Sequence, residues 1–140
     1  MAQDPANDDE ETWCAEQRDE VVQYLRGQGL DHGEIGEIPA WFICPNVAVW
    51  AVESLRSPGS VGWWVMSGDL PTDYCSSGDC RHPRLALKRM VAEWDQAIKA
   101  TRFWHREIGS TGLPARLLPM LKVRVELLSD IAGDDAAWPE

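Results

Sequence analysis

The sequence lacks the features that would place it in a membrane or on nucleic acid. Its longest apolar run, residues 47–52, is far shorter than the roughly 20 residues that a membrane-spanning helix needs. Its first ten residues are acidic and polar, whereas a signal peptide starts with basic residues and continues with apolar ones. Lysine and arginine number 13 against 23 aspartates and glutamates, so a basic footprint for nucleic acid is missing. We therefore expect a cytoplasmic protein that binds neither membranes nor nucleic acids.

Recognisable catalytic and phosphate-binding motifs are missing as well. The sequence has no G-x-S-x-G elbow, no G-x-x-x-x-G-K-[ST] loop and no G-x-G-x-x-G after a strand. The chain has four cysteines, Cys14, Cys44, Cys75 and Cys80, which we expect to be reduced thiols in the cytoplasm. Two alternatives stay open: a disulfide between Cys75 and Cys80, or one of these thiols as a nucleophile with a distant histidine as its base. We favour a noncatalytic protein and expect no cofactor.

Tryptophan and negative charge are abundant. Eight tryptophans in 140 residues supply large amphipathic contact areas, either in the core or at a partner surface. The formal net charge is -10 and is uneven, because residues 1–20 carry eight acidic residues and a single arginine. Such an acidic surface suits a basic protein partner, or serves solubility alone.

The pattern of apolar residues and breakers predicts an α+β fold, with residues 1–9 as a disordered acidic tail and residues 10–140 as a single globular domain. The expected architecture is a small antiparallel sheet, a hairpin, flanked by three main helices. The segment 47–53 fits a strand or a short buried helix. We favour the strand, because the turn residues 57–60 then return the chain to a firm strand. In chain order we predict a helix over 10–26, a loop over 30–39, strands over 47–53 and 61–67, a loop over 68–79, a helix over 82–105 and a last helix ending near residue 132.

The order of several motifs resembles a family of small bacterial proteins that is catalogued as a domain of unknown function. The likeness is carried by P-A-W at 39–41, C-P-N-V-A-V-W-A-V-E-S at 44–54, V-G-W-W-V-M-S-G-D-L-P-T-D-Y at 61–74 and H-P-R at 82–84. It extends from the first helix to Trp138, and G-D-L-P-T-D-Y is its most specific part. The cysteines at 75 and 80 lie outside the pattern. The resemblance implies one compact bacterial domain and brings no established activity.

The segment 62–74 and the start of the next helix hold the candidate binding residues, Trp63, Trp64, Asp69, Asp73, Tyr74 and Arg84. The two tryptophans are adjacent, so in a strand they point to opposite faces, and we expect both faces to be covered. Paired carboxylates at 69 and 73 are suited to acid–base chemistry or to a hard cation. The favoured interpretation is structural, with Asp69 capping the turn and Asp73 pairing with the local backbone or with Arg84.

Two classes of function remain. The favoured hypothesis is a small acidic interaction protein, similar in kind to immunity proteins and antitoxins, that binds a basic protein partner. The alternative is a small hydrolase that uses Asp69 and Asp73, with Arg84, beside a tryptophan-lined pocket. The oligomeric state is not indicated by the sequence.

One group of possible metal ligands needs a test. Cys75, Cys80 and His82 lie within eight residues, but zinc sites usually show closer cysteine pairs and a second ligand pair elsewhere. No spacing supports a fourth ligand at Cys44, His32 or His105.

We therefore predict that the purified protein carries no stoichiometric zinc, which elemental analysis measures directly. About one metal ion per chain, lost in a Cys80→Ser variant, would contradict the prediction.

Overall fold

The computed structural model describes residues 5–69, 72–78, 80–103 and 118–138. Within these residues the fold is α+β, with three α-helices and a four-stranded antiparallel sheet. The elements are α1 (Pro5–Gln28), β1 (Trp41–Ile43), β2 (Val47–Glu53), β3 (Val61–Gly68), β4 (Asp73–Ser76), α2 (Pro83–Phe103), α3 (Leu118–Gly133) and a short 3-10 helix (Asp135–Ala137). No helix in this described part combines the length and the apolar character that crossing a membrane would require.

The sheet is a meander in the order β1-β2-β3-β4, so every strand pairs with its neighbours in the chain. The segment 47–53 is a strand, as favoured, and forms the predicted hairpin with β3. Both of these strands are inner strands. Their valines and tryptophans suit a position in which both faces are buried.

The sheet has two more strands than the predicted hairpin. The short β1 pairs with the first half of β2, and β4 pairs with β3 inside the segment that we expected to be a loop. The sequence does not indicate β4, because the segment 68–79 is rich in turn residues. A short edge strand depends on pairing with the backbone of its neighbour more than on its own composition.

The helices follow the predicted pattern more closely. α1 starts at Pro5, within the segment assigned to an acidic tail, and ends before Gly29, whose φ of 66° suits a glycine after a helix. α3 has Pro119 in its first turn, where proline is tolerated. The tail residues 1–4, the turn residues 70–71, the end of the predicted helix at 104–105 and the predicted break at 109–114 lie outside the described residues.

Backbone contacts divide the chain into two compact units, Met1–Ala86 and Leu87–Glu140. In the first unit α1 covers one face of the sheet. Val21 and Leu25 of α1 pack in one buried cluster with Trp50 of β2 and Val65 of β3. The Trp50 indole Nε1 donates to the Ser67 hydroxyl at 3.0 Å, so the polar atom of this buried ring is satisfied. Side chains on the other face of the sheet, including Val49 and Met66, are buried as well.

The second unit has its own small core. Ile98 of α2 packs with Leu121 and Val125 of α3, and Val91 and Trp94 border this cluster. Val91, Trp94 and Ile98 follow the helical spacing that predicts the apolar stripe of α2.

A second feature of this unit is the way the chain is fixed after α3. The Trp138 ring is buried and its Nε1 donates to the carbonyl of Ile131 at 3.0 Å, which holds the segment after α3 against that helix.

Gly68 ends β3 in a backbone conformation that residues with a side chain rarely adopt. Its φ is 134°, and a β-carbon here would lie 2.9 Å from the Val47 Cα and overlap the carbonyl of Asn46. The next residue donates its backbone N–H to the same Asn46 carbonyl at 3.0 Å. The close approach of the two backbones therefore requires glycine at this position.

We predict that Gly68→Ala lowers the free energy of unfolding by at least about 2 kcal/mol, from backbone strain and overlap together. Chemical denaturation measures this change. The matched control is Gly27→Ala in α1, where a β-carbon meets nothing within 4 Å, and which should stabilise the protein by up to about 1 kcal/mol. A Gly68→Ala variant as stable as the parent would show that the turn is not constrained in this way.

Candidate functional site

The structure separates the two adjacent tryptophans of the predicted site. Trp64 is 5% exposed and its indole Nε1 donates to the Cys80 carbonyl at 2.7 Å, so its position in β3 is structural. Trp63 faces the opposite side, borders the α1-covered core and is half-buried. It lines an open cavity of about 410 Å³ together with Asp31, Ser54, Leu55, Arg56, Gly62 and Ser76.

The two aspartates do not line that cavity. Trp63 pairs with Ser76, whereas Asp73 pairs with Met66 at the other end of the β3–β4 ladder. Three residues along a strand separate these positions by about 10 Å. Asp69 is exposed just after β3.

Arg84 lies half-buried in the first turn of α2, where its backbone N–H donates to His82 Nδ1 at 3.0 Å. The proposed ion pair between Asp73 and Arg84 stays a prediction.

Asp73 and Tyr74 meet Tyr24 of α1. The Tyr24 hydroxyl donates to Asp73 Oδ1 at 3.5 Å, and the backbone N–H of Tyr74 donates to the same oxygen at 2.8 Å. The two tyrosine rings are 6.1 Å apart. Burial, followed by the nearby Asp73 carboxylate, raises the pKa of Tyr24 to about 12. A hydroxyl that holds its proton this strongly is a hydrogen-bond donor at neutral pH, so this cluster ties α1 to β4.

The four cysteines are free thiols, and Cys75 and Cys80 are buried. Burial raises the pKa of the Cys14 thiol, and Cys44 and Glu10 add to the effect. Burial also raises the pKa of Cys44, with Glu10 and Asp9 contributing. Cys14 and Cys44 are therefore neutral thiols at neutral pH, which makes them poor nucleophiles. Within the described ranges no three acidic, cysteine or histidine side chains are grouped so as to hold a metal ion.

The strongest electrostatic feature is the surface of α1 and of the segment that follows it. Residues 9–40 include only two lysines or arginines, Arg18 and Arg26. The exposed carboxylates of the same stretch are Asp9, Glu10, Glu11, Glu16, Asp19, Glu20, Asp31, Glu34 and Glu37. An acidic surface of this density favours contact with positive charge.

Arg18 uses its guanidinium to hold the segment after α1. Its Nε donates to the Gly36 carbonyl at 2.9 Å and its Nη2 donates to the Ile35 carbonyl at 3.0 Å. On its other side the segment is hydrogen-bonded to β2. The Gly36 N–H donates to the Ala51 carbonyl at 3.1 Å, and the Ala40 N–H donates to the Val49 carbonyl at 2.8 Å. The segment is therefore fixed between the helix and the sheet.

This arrangement leaves a groove between α1 and residues 37–42, which we call the α1 groove. It has a volume of about 330 Å³ and is lined by Glu10, Glu11, Cys14, Ala15, Glu37, Ile38, Pro39 and Phe42. Trp13 and Phe42, whose ring centroids are 6.0 Å apart, join the helix to β1 beside it. Ile38 is 75% exposed, the highest value among the large apolar residues that the structure describes. The groove combines apolar walls with carboxylates on both sides.

The sequence predicts the acidity of this surface but not the groove. Residues 30–39 read as a polar loop, and nothing in that pattern shows that Ile38 and Phe42 come to lie against α1. The one available signal is the pair Ile38-Pro39 at the end of a segment rich in glycine and acidic residues.

Comparison with known proteins identifies the family. The family model described as "Domain of unknown function (DUF4826)" matches residues 7–138, nearly the whole chain. The chain therefore belongs to this family, which confirms the resemblance to a family of unknown function. No curated protein and no solved structure matches the chain.

The Tyr24 cluster generates a prediction about pH. Because the folded-state pKa of about 12 lies above the ordinary value of 10, the stabilisation from neutral Tyr24 is fully present below pH 10 and is lost as the pH rises towards 12. Denaturation of the parent should therefore show a loss of stability across this window that is smaller in Tyr24→Phe. The control Tyr74→Phe keeps the Tyr24 hydroxyl, so its stability should fall across this pH window as much as that of the parent. Equal pH dependence in the parent and in Tyr24→Phe would contradict the assignment.

Proposed function

We propose that this DUF4826 protein is a noncatalytic interaction protein of the bacterial cytoplasm, which binds a basic protein partner through the acidic surface of α1. Immunity proteins and antitoxins are the nearest functional class, because they act by covering a partner rather than by transforming a substrate. Opposite charges on the two surfaces would accelerate their encounter and exclude acidic competitors.

The observation that supports the proposal is a pair of like charges in the middle of α1. Glu16 and Glu20 are both exposed and stand four residues apart, where side chains on a helix are neighbours. Two carboxylates in this arrangement destabilise a helix by roughly 0.2–0.5 kcal/mol. They lie beyond the first turns, so the helix dipole does not compensate for them. The pair belongs to the stretch 9–40, which has nine exposed carboxylates and two arginines, and the guanidinium of Arg18 is bonded to backbone carbonyls. A basic partner would relieve the repulsion within this stretch.

The alternative, a small hydrolase, has less support. It needs Asp69 and Asp73 beside a tryptophan-lined pocket, and neither aspartate lines the cavity at Trp63.

The test is affinity capture from the native host, with the protein partner identified by mass spectrometry. We expect a basic protein in stoichiometric amount on the parent and a smaller amount on Glu16→Gln/Glu20→Gln. With the purified partner, this variant should lower the association rate by about three- to tenfold, and added salt should reduce the difference. The same variant should melt slightly above the parent, since the repulsion is removed.

The chain offers a matched control in α3. Glu126 and Asp130 are also exposed and four residues apart, so Glu126→Gln/Asp130→Asn removes the same charge from a comparable position. This control should retain the partner. Equal capture by the two double variants would contradict a role for the α1 surface, and capture of an acidic protein would contradict the charge argument.

A further inference from the structure

We infer that the α1 groove is the anchoring site of this interaction, and that it takes one apolar side chain from a lysine- or arginine-rich segment of the partner. The inference rests on the proposed function, because it specifies where the acidic stretch 9–40 holds a basic protein. Helical spacing places Glu16 and Glu20 on a different side of α1 from Glu11 and Ala15, so steering by these glutamates and anchoring in the groove are separable by experiment.

The size and lining of the groove indicate the kind of group it accepts. Its volume of about 330 Å³ is at the lower end of the range of roughly 300–1,000 Å³ that is usual for ligand sites. This volume suits one large side chain rather than an extended ligand. Ala15, Ile38, Pro39 and Phe42 contribute apolar surface, and the high exposure of Ile38 leaves that surface open to a partner.

The charges at the rim of the groove favour particular residues on either side of the partner's apolar residue. Glu10 and Glu11 border the groove from α1, and Glu37 borders it from the opposite segment. An apolar residue that enters between these carboxylates brings its neighbours next to them, and lysine or arginine is favoured at those neighbouring positions. A second copy of this chain is a poor occupant, because each copy has a formal net charge of -10.

The wall of the groove is held in place before any partner arrives. The two hydrogen bonds from Arg18 fix residues 35 and 36, and the contact between the Trp13 and Phe42 rings fixes the start of β1. A preformed groove avoids the entropy cost of ordering a loop on binding. Anchors in such pockets contribute most of the binding energy of many interfaces, while the surrounding charges mainly affect the rate of association.

The experiment uses the full chain and a phage-displayed library of short randomised peptides. We expect the enriched peptides to share one leucine, isoleucine or aromatic residue flanked by lysine or arginine. A synthetic enriched peptide is then titrated against Ile38→Gln, which removes an apolar wall without changing the charge, and against the matched control Leu55→Gln. Leu55 is 57% exposed and lies outside the groove. Ile38→Gln should raise Kd by about tenfold through faster dissociation, and Leu55→Gln should leave it unchanged.

A second variant tests whether the effect of Ile38→Gln arises from the groove itself. Ala15 is exposed on α1 and lines the groove, so Ala15→Gln should partly fill it and weaken the peptide to a similar extent. Thermal melts should show that all variants remain folded. Failure to enrich any peptide, or equal affinity of the Ile38 and Leu55 variants, would overturn the groove as the anchor.

The outcomes for the groove and for the proposed function differ. If Glu16→Gln/Glu20→Gln captures less of the host partner while Ile38→Gln captures as much as the parent, the proposed function stands and the anchor is wrong. If Ile38→Gln releases the peptide and the glutamate variant still captures the partner at an unchanged rate, the anchor stands and electrostatic capture is wrong.

Discussion

The hydrogen-bonding groups of β2 on both of its edges determine where the rest of the first unit lies. β2 is apolar along nearly its whole length and buried, so its backbone N–H and C=O groups have no access to water and need partners within the protein. β3 pairs along one edge. The other edge is shared, because β1 pairs with its first residues and the segment around Gly33 and Gly36 bonds to its last residues. A stretch that lacks regular structure thereby supplies backbone partners to this edge of β2.

The position of this segment creates the α1 groove. The backbone of residues 33–40 bonds to β2, while its carbonyls at 35 and 36 accept from Arg18. Within this segment the Ile38 side chain is left largely exposed. Exposed apolar surface beside carboxylates persists at a cost in solubility, which is why we assign it to binding.

The parts of the fold that the sequence predicts are those with strong internal periodicity. The stripe of α2 from Leu87 to Ile98 and the valines of β2 and β3 identify their elements without reference to neighbours. β4 is missed, because Asp73–Ser76 becomes a strand only through pairing with β3. For the site, the charge of α1 follows from composition. The groove requires knowing that Arg18 reaches a carbonyl 18 residues away, and no local pattern contains that information.

Tyr24 connects the G-D-L-P-T-D-Y motif to the helix that bears the acidic surface. In G-D-L-P-T-D-Y the last aspartate accepts from the Tyr24 hydroxyl and from its neighbour's backbone N–H. These bonds commit one oxygen of Asp73 to fastening α1 onto the edge of the sheet. The same helix bears Glu16 and Glu20 on exposed positions and Arg18 towards the segment after it. A helix fastened through Tyr24 and Arg18 fixes the backbone positions from which its remaining carboxylates project. For a binding protein that works through charge, this fixed spacing is more selective than the same charges on a flexible tail, since it favours partners with the corresponding spacing.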